Sequence, residues 1–177
     1  FGEDVLWTIK QAYATLLKPT AKVIPGGARI WAAPVESKEL LGYFRVGEVC
    51  GFDLTPFNRL ADSRLLQLDL KRHTYRMLAD PFVALQVDFT ADTPLSANHQ
   101  VEITAGATGR CDGFIFWYEL LQDGEPFMST SADQDGTHWR QAFLPHFGSH
   151  KTFEQGRSYS VSSQYQRYLL WFDLTAS

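Results

Sequence analysis

Apolar residues near the start of the chain recur every three or four positions, while those in its second half tend to alternate with polar ones. The first pattern predicts an amphipathic helix over Asp4–Lys18. Asp4 suits the N-terminal end of this helix, where a carboxylate complements the helix dipole, and Pro19 stops it. A helix with one apolar face requires a surface to pack against, so a larger unit is expected beside it.

The region after this helix mixes short elements. One strand and two short helices are predicted: Arg29–Val35, Ser37–Phe44 and a helix that begins at Pro56. Pro34 has no N–H to donate, which restricts its end of the strand to a sheet edge or a bulge. Ser37 is placed to cap the helix that follows it. The leucine-rich stretch Asp62–Ala79 fits either a strand or a helical turn.

From Asp80 onward, the alternation of apolar and polar residues predicts a series of β-strands. They are expected around these ranges: Val83–Phe89, Val101–Ala105, Phe114–Leu121, Arg140–Leu144, Ser158–Tyr165 and Tyr168–Leu174. Phe114–Leu121 is apolar almost throughout, as expected of a strand covered on both faces. Asp123-Gly124 is a hairpin turn signal. The predicted fold class is mainly β, a barrel or sandwich of short antiparallel strands preceded by an N-terminal helix, with short helices in the first half.

Composition narrows the classes of partner. A chain of 177 residues with a formal net charge of −4 is long enough for one large domain, and it lacks the basic surface that direct nucleic-acid binding requires. No apolar run approaches the roughly 18 residues of a membrane span, so no membrane partner is predicted. Cys50 and Cys111 lie far apart and are expected to be reduced thiols of an intracellular protein. His138, His146 and His150 share one stretch, but without a Cys or His pair at ligand spacing no metal site is predicted.

The polar stretch Ser129–Trp139 lies between two aromatic-rich runs and ends in Thr137-His138-Trp139. An ordinary loop, with Trp139 in the core and His138 solvated, is one interpretation. The order Ser-Thr-Ser, then Thr-His-Trp-Arg-Gln, resembles the signature Thr-His-Trp loop of protein arginine methyltransferases, although Ala132 stands where that family usually has proline. The resemblance covers nearly the whole chain in the family's order, through these further segments: Phe1–Asp4, Leu17–Pro19, Val23–Ser37, Val49–Asp53, Asp80–Phe82 and Gly113–Tyr118.

This resemblance implies a domain organisation. Residues 1–24 would be the helix and connector at the end of a methyltransferase domain, and residues 25–177 the family's C-terminal β-barrel. The chain does not begin with methionine and is expected to be an excised fragment. An arm-like insertion at about 54–79 would be shorter than in common members, which favours members that carry two tandem modules. The implied cofactor of the intact enzyme is S-adenosylmethionine. No cofactor-binding residue is expected in this fragment, because the sequence has no Gly-rich turn between a strand and a helix.

The resemblance also implies site residues. In that family two glutamates of a hairpin loop hold the substrate guanidinium, and the second of them matches Glu3, while the first is not in the chain. A carboxylate binds the planar guanidinium through paired charge-assisted hydrogen bonds. Catalytic roles are therefore implied for Glu3 and His138, and substrate-binding roles for Thr137 and Trp139. The simpler interpretation of Glu3 is an acidic residue stabilised at a helix N-terminus.

The implied function is methylation of arginine guanidinium groups in protein substrates by the intact enzyme, in the cytoplasm or the nucleus, with the fragment inactive by itself. The implied assembly is a homodimer or a pairing of two modules within one chain. Asp133 and Asp135 would add negative potential for a basic substrate, although a solvated loop is the better explanation for them. A non-catalytic, degenerate module for protein–protein interaction or pseudo-dimerisation is the alternative function. A ligand-binding β-sandwich is a third interpretation.

Overall fold

The computed structural model describes residues 3–61, 64–134, 137–147 and 152–176. Its helical elements lie in the first half: helices α1 (Val5–Thr15) and α2 (Lys38–Gly42), and the 3₁₀ turns Thr55–Leu60 and Leu70–Arg72. The strands of the described ranges are β1 (Gly27–Glu36), β2 (Glu48–Val49), β3 (Phe52–Asp53), β4 (Leu66–Leu68), β5 (Arg76–Met77), β6 (Phe82–Asp88), β7 (Ser96–Thr104), β8 (Gly109–Arg110), β9 (Gly113–Gln122), β10 (Glu125–Ser129), β11 (Gln141–Pro145), β12 (Thr152–Phe153), β13 (Ser158–Gln166) and β14 (Leu169–Ala176). The predicted mainly β fold with an N-terminal helix and short helices in the first half is confirmed.

The amphipathic helix predicted at the N-terminus is α1. It packs on the β-strands through Leu6, which is completely buried. Lys10 Nζ donates a hydrogen bond to the Thr93 carbonyl (3.2 Å), and the Tyr13 hydroxyl donates to the Phe89 carbonyl (3.1 Å). Asp4 occupies the N-cap position, as predicted, but its side chain makes no capping hydrogen bond. None of the helices in the described ranges is long and apolar enough to cross a membrane.

The larger sheet is built around β1 and β9. These two strands pair in register from Gly27 opposite Leu121 to Val35 opposite Gly113. On its other side β1 pairs first with β6 and then with β5, and β9 pairs with β10 and β11. Strand β4 adds to the far side of β11. The described pairings leave this sheet open.

Pro34 lies inside this sheet, so of the two positions expected for it, a sheet edge or a bulge, the sheet edge is wrong. On one side it faces Phe114 of β9. On the other side β1 changes its partner strand: Ala32 is the last residue paired with β6, and Val35 is the first paired with β5. Pro34 lies between these two residues. Its carbonyl accepts a hydrogen bond from the Leu78 amide (2.9 Å). The change of partner strand at this point tolerates a residue without an N–H, because no regular ladder bond is required there.

A second sheet, β7-β13-β14, covers one face of the larger sheet. The main core lies between them, and rings from both sheets meet in it: Phe114 and Phe172 have centroids 4.9 Å apart. The last hairpin, predicted over Ser158–Leu174, supplies two of the three strands of this second sheet, β13 and β14. The two sheets and their shared core give the molecule a sandwich-like arrangement.

A smaller core lies on the opposite face of the larger sheet. Its buried members come from β1, α2, β9, β11 and the stretch after Asp62: Ala33, Val35, Leu40, Leu68, Leu70, Ile115 and Phe143. Residues 113–115 of β9 are therefore covered on both faces, as predicted, whereas residues 116–120 are only half-buried. Helix α2 closes this core and is capped by Ser37, whose Oγ accepts from the Leu40 amide (3.1 Å), which confirms the predicted cap.

The ambiguous stretch Asp62–Ala79 contains both of the structures it was compatible with. Leu66–Leu68 is strand β4, Leu70–Arg72 is a 3₁₀ turn, and a short strand, β5, follows, while Asp62 and Ser63 lie outside the described residues. The turn at Asp123-Gly124 is confirmed, because both residues have positive φ and join β9 to β10. Strand β10 itself was not predicted.

Candidate functional site

The polar stretch that ends in Thr137-His138-Trp139 leaves the larger sheet at the middle of β9. Strands β10 and β11 share one side of β9: β10 pairs with residues 119–122 and β11 with residues 113–116. The chain between β10 and β11 must therefore leave the sheet beside Tyr118, and Thr130 attaches its start there. The Thr130 amide donates to the Tyr118 carbonyl (2.9 Å), and the Tyr118 amide donates to Thr130 Oγ1 (3.1 Å).

Thr137, His138 and Trp139, referred to below as the 137–139 segment, present their side chains at this edge. The Trp139 amide donates to Thr137 Oγ1 (3.1 Å), which closes a tight turn around His138. The rings of His138 and Trp139 have centroids 5.3 Å apart. Trp139 is 43% exposed, so the interpretation that placed it in the core is wrong, and His138 is exposed as well.

The 137–139 segment forms a wall shared by two clefts. The cleft of about 390 Å³ on one side is also lined by Asp69, Lys71 and Gln141. The cleft of about 600 Å³ on the other side is also lined by Glu119, Phe127 and Met128. An exposed imidazole and indole between two concave surfaces form an arrangement that suits binding of a polar or cationic ligand.

Two residues near the segment were missed in the sequence. Tyr118 lies behind Trp139, and burial raises the pKa of its hydroxyl. Gln141 is buried and bonds at both ends of its amide, to the Thr130 carbonyl (2.7 Å) and from the Leu70 amide (3.0 Å). Tyr118 belongs to an apolar strand, and Gln141 directly follows the loop. Their positions in the sequence were therefore the only signal that could have identified them as site residues.

Glu3 lies just before α1, and its side chain is exposed. Its neighbour Asp4 has a left-handed backbone and pairs with the Arg167 guanidinium, which comes from the turn between β13 and β14. Arg167 also lies over the Trp7 ring, 5.6 Å from its centroid. Among the described contacts, none joins Glu3 to the 137–139 segment. Phe1 and Gly2, which precede Glu3, lie outside the described residues.

The acidic and histidine candidates of this region are only partly described. A hydrogen bond from the Ser131 side chain holds the pKa of Asp133 below its usual range, and Asp133 is exposed. Asp135 and His150 lie outside the described residues. In the part of the chain that is described, no three His, Cys, Asp or Glu side chains are grouped as metal ligands.

A separate apolar surface lies on the hairpin β2–β3 and the 3₁₀ turn after it. Its members, called the arm tip below, are Val49, Phe52, Phe57 and Leu60. Phe57 is 61% exposed and Leu60 is 80% exposed. Arg45 and Arg64 line the cleft of about 410 Å³ beside them. Exposed apolar side chains in such a cluster are characteristic of protein–protein contact surfaces.

Several known proteins resemble this chain in sequence. A family model described as the arginine methyltransferase oligomerization subdomain matches residues 27–175. Protein arginine N-methyltransferase 7 from Caenorhabditis briggsae is 27% identical over 97% of this chain and 28% of that protein. Arginine N(omega)-methyltransferase from Streptomyces achromogenes subsp. streptozoticus is 26% identical over 81% of this chain and 40% of that protein. The chain thus spans less than half the length of either relative.

A solved structure shares the fold. It is described as the Trypanosoma brucei PRMT1 enzyme-prozyme heterotetrameric complex with AdoHcy. The superposition has a TM-score of 0.73 and covers 90% of this chain and 52% of that chain, with 18% sequence identity. The likeness extends over nearly all of the sandwich-like arrangement described above.

Proposed function

Because this chain belongs to the protein arginine methyltransferase family, we propose that it is the C-terminal, substrate-side module of an enzyme that methylates arginine guanidinium groups in proteins. The observation that carries the proposal is the 137–139 segment, which presents His138 and Trp139 side by side at the wall between two clefts. S-adenosylmethionine would supply the methyl group in the longer protein.

The described residues do not themselves fit that cofactor. Gly26 and Gly27 lead into strand β1 and not into a helix N-terminus, so they do not form a nucleotide-binding turn. We therefore assign this chain only the roles of binding, orienting and deprotonating the substrate arginine.

Trp139 would bind the substrate cation. A guanidinium over the face of an indole is stabilised by the ring quadrupole, by about 0.5–1 kcal/mol at an exposed site and about 2 kcal/mol or more when water is excluded. The Tyr118 ring supports the indole from behind, at a centroid distance of 6.0 Å. This support limits the orientations of the indole, which lines both clefts.

His138 would take part in proton transfer. An arginine nitrogen loses a proton as it is methylated, and an imidazole has a pKa suited to receiving or relaying that proton near neutral pH. The hydrogen bond between the Trp139 amide and Thr137 Oγ1 fixes the short turn that carries His138. Thr137 would thus act on the substrate through the shape of the segment.

Glu3 would hold the guanidinium from the other side. A carboxylate that accepts two N–H bonds of the fork orients one nitrogen toward the methyl donor. The contact of Arg167 with Asp4 supports this proposal, because it anchors the backbone next to Glu3 on the turn between β13 and β14. Glu3 and the 137–139 segment would then act on one substrate from two different parts of the chain.

The test uses the longer protein that contains this chain, an arginine peptide and S-adenosylmethionine with a labelled methyl group. Glu3→Gln should abolish methylation, and His138→Ala should lower turnover, with cofactor binding by calorimetry unchanged in both. His99→Ala is the control, because His99 lies on β7 and bonds the Ala84 carbonyl, away from both proposed groups. Normal turnover in Glu3→Gln and His138→Ala would reject the assigned roles.

We further propose that the arm tip pairs with another methyltransferase module, in a homodimer or within one chain. The apolar exposure of Phe57 and Leu60 and the oligomerization subdomain of the matching family support this second role. Phe57→Ser with Leu60→Ser should shift the longer protein toward a smaller or more open species in light scattering. Leu16→Ser is the control, because Leu16 lies just after α1 and is as exposed as Leu60.

Light scattering and methyl labelling of the same longer protein distinguish pairing through the arm tip from catalysis. If the wild-type protein pairs through the arm tip but labels no arginine peptide, the non-catalytic module becomes the better description. Labelling that disappears with Glu3→Gln supports the enzyme.

A further inference from the structure

We propose that Gln141 is a positioning residue, which holds the 137–139 segment in place against β4 and the 3₁₀ turn that follows it. This inference rests on the proposed function, since the segment is assigned there to substrate binding. Gln141 is only 6% exposed, and it stands two residues after Trp139, at the first position of β11.

Its amide joins the two sides of the site. The Nε2 group donates to the Thr130 carbonyl (2.7 Å), and Oε1 accepts from the Leu70 amide (3.0 Å). Thr130 is where the loop starts and Gln141 is where it ends, so the first bond closes the loop at its base. The second bond ties that base to a residue of the 3₁₀ turn Leu70–Arg72.

The loop base is rigid on the β9 side. Thr130 is completely buried and exchanges backbone and hydroxyl hydrogen bonds with Tyr118. Tyr118 in turn supports the Trp139 ring. A displacement of Gln141 would therefore alter the loop base and the contact behind Trp139 together.

On its other side, the loop base contacts β4 and the residues after it. Strand β4 pairs with β11, with Leu68 opposite Gln141 itself. The next residues, Asp69 and Lys71, line the same cleft as His138. Strand β4 and the turn after it are thus connected to the candidate site by backbone pairing with β11 and by the buried amide of Gln141.

A buried amide of this kind is difficult to replace. Loss of either partner leaves a desolvated donor or acceptor in the fold, and such groups are stabilised only when their hydrogen bonds are made. Gln141→Met has a similar length and removes both bonds. Gln141→Glu keeps an acceptor for the Leu70 amide but has no N–H for the Thr130 carbonyl, so it removes the bond to Thr130 alone, whereas Gln141→Met removes both bonds.

The first measurement does not depend on activity. The chain labelled with 5-fluorotryptophan gives a ¹⁹F resonance for Trp139, which Trp139→Phe assigns. Gln141→Met should move or broaden this resonance and leave that of Trp171, in the other sheet, unchanged. The control is Gln164→Met on β13 in the other sheet, where the Gln164 amide donates a hydrogen bond to Ser162 Oγ (3.0 Å). This control should leave the Trp139 resonance unchanged. If the Met variant does not fold, Gln141→Glu must move the Trp139 resonance instead.

The second measurement is the kinetic one. In the longer protein, Gln141→Met should raise the KM for an arginine peptide about tenfold, because the 137–139 segment that binds the peptide loses its alignment, with an unchanged affinity for the cofactor. A folded Gln141 variant with an unchanged Trp139 resonance, or with an unchanged peptide KM, would overturn the positioning role. An inactive wild-type protein would reject the proposed function, while the fluorine spectrum would still decide whether Gln141 positions the segment.

Discussion

The indole of Trp139 lies against the phenol of Tyr118, with ring centroids 6.0 Å apart and an angle of 49° between the rings. Tyr118 also packs against the main core of the sandwich. One tyrosine side chain therefore supports both the core and the exposed tryptophan at the end of the loop. The position of Trp139 in the candidate site therefore depends directly on β9, the strand that carries Tyr118.

This dual role predicts different effects for two substitutions. Tyr118→Phe keeps the ring and should change the free energy of unfolding by less than about 1 kcal/mol, whereas Tyr118→Ala should lower it by about 2–3 kcal/mol, since the ring is only half-buried. Urea unfolding of the two variants measures the difference. Equal stabilities of the two variants would contradict the packing role.

The two cysteines are predicted to differ in reactivity. Burial raises the pKa of Cys111 to about 12, whereas Cys50 is exposed. Because the thiolate is the attacking form, Ellman's reagent should label one thiol per native chain rapidly and two after denaturation. Cys50→Ser should remove the rapid phase. Two rapid thiols in the native wild-type chain would show that Cys111 is accessible.

Gly113 is predicted to tolerate no side chain. A Cβ at this position would overlap the Leu144 carbonyl oxygen and lie 2.6 Å from the Phe143 ring. Gly113→Ala should lower the free energy of unfolding by about 1–3 kcal/mol, the usual cost of overpacking a filled core. Gly42→Ala is the matched control, because a Cβ at Gly42 meets nothing within 4 Å. A stability loss as large at Gly42 would point away from overpacking.

Glu36 predicts a pH dependence of stability. The Arg76 guanidinium, and then the Arg110 amide, hold the pKa of Glu36 below its ordinary value of 4.5 by hydrogen bonding. The ionised form is favoured by folding, so this contribution is complete above pH 4.5 and is lost as the pH falls through the lower value in the folded state.

Arg76→Met should therefore destabilise the chain more at neutral pH than in acid, and the two curves should converge as Glu36 becomes protonated. The measurement is the urea midpoint between about pH 6 and about pH 3. Arg72→Met is the control, since Arg72 is largely exposed and pairs only with Asp69 among the described ion pairs. A constant difference across this pH range would contradict the role of Glu36.

The elements that the sequence predicted well are those with local causes. Helix α1 follows from the spacing of its apolar residues, the start of α2 from the Ser37 hydroxyl, and the β9–β10 turn from Asp123-Gly124. Each depends on residues a few positions apart. The alternating strands of the second half were found for the same reason, because burial of one face has a period of two.

The features that were missed depend on residues far apart in sequence. Pro34 is tolerated inside a sheet because two different strands meet opposite it, and no pattern in β1 alone indicates that. The pairing of β4 with β11 brings Leu68 beside Gln141, which is a long-range register. For the candidate site, the 137–139 segment was identified from its motif, but its support by Tyr118 and Gln141 required the fold. The assigned roles of Glu3, Thr137, His138 and Trp139 remain predictions.

The pairing of β4 with β11 also determines where the stretch between α2 and β4 can change in length. Removal of β4 would leave the outer backbone groups of β11 unpaired, and an unprotected strand edge promotes association with other chains. Insertions and deletions are therefore expected to be accepted in the hairpin β2–β3 and the turn after it, whose residues are largely exposed. Relatives in which this stretch is longer or shorter should differ in the hairpin and its turn, and they should keep the short strand β4.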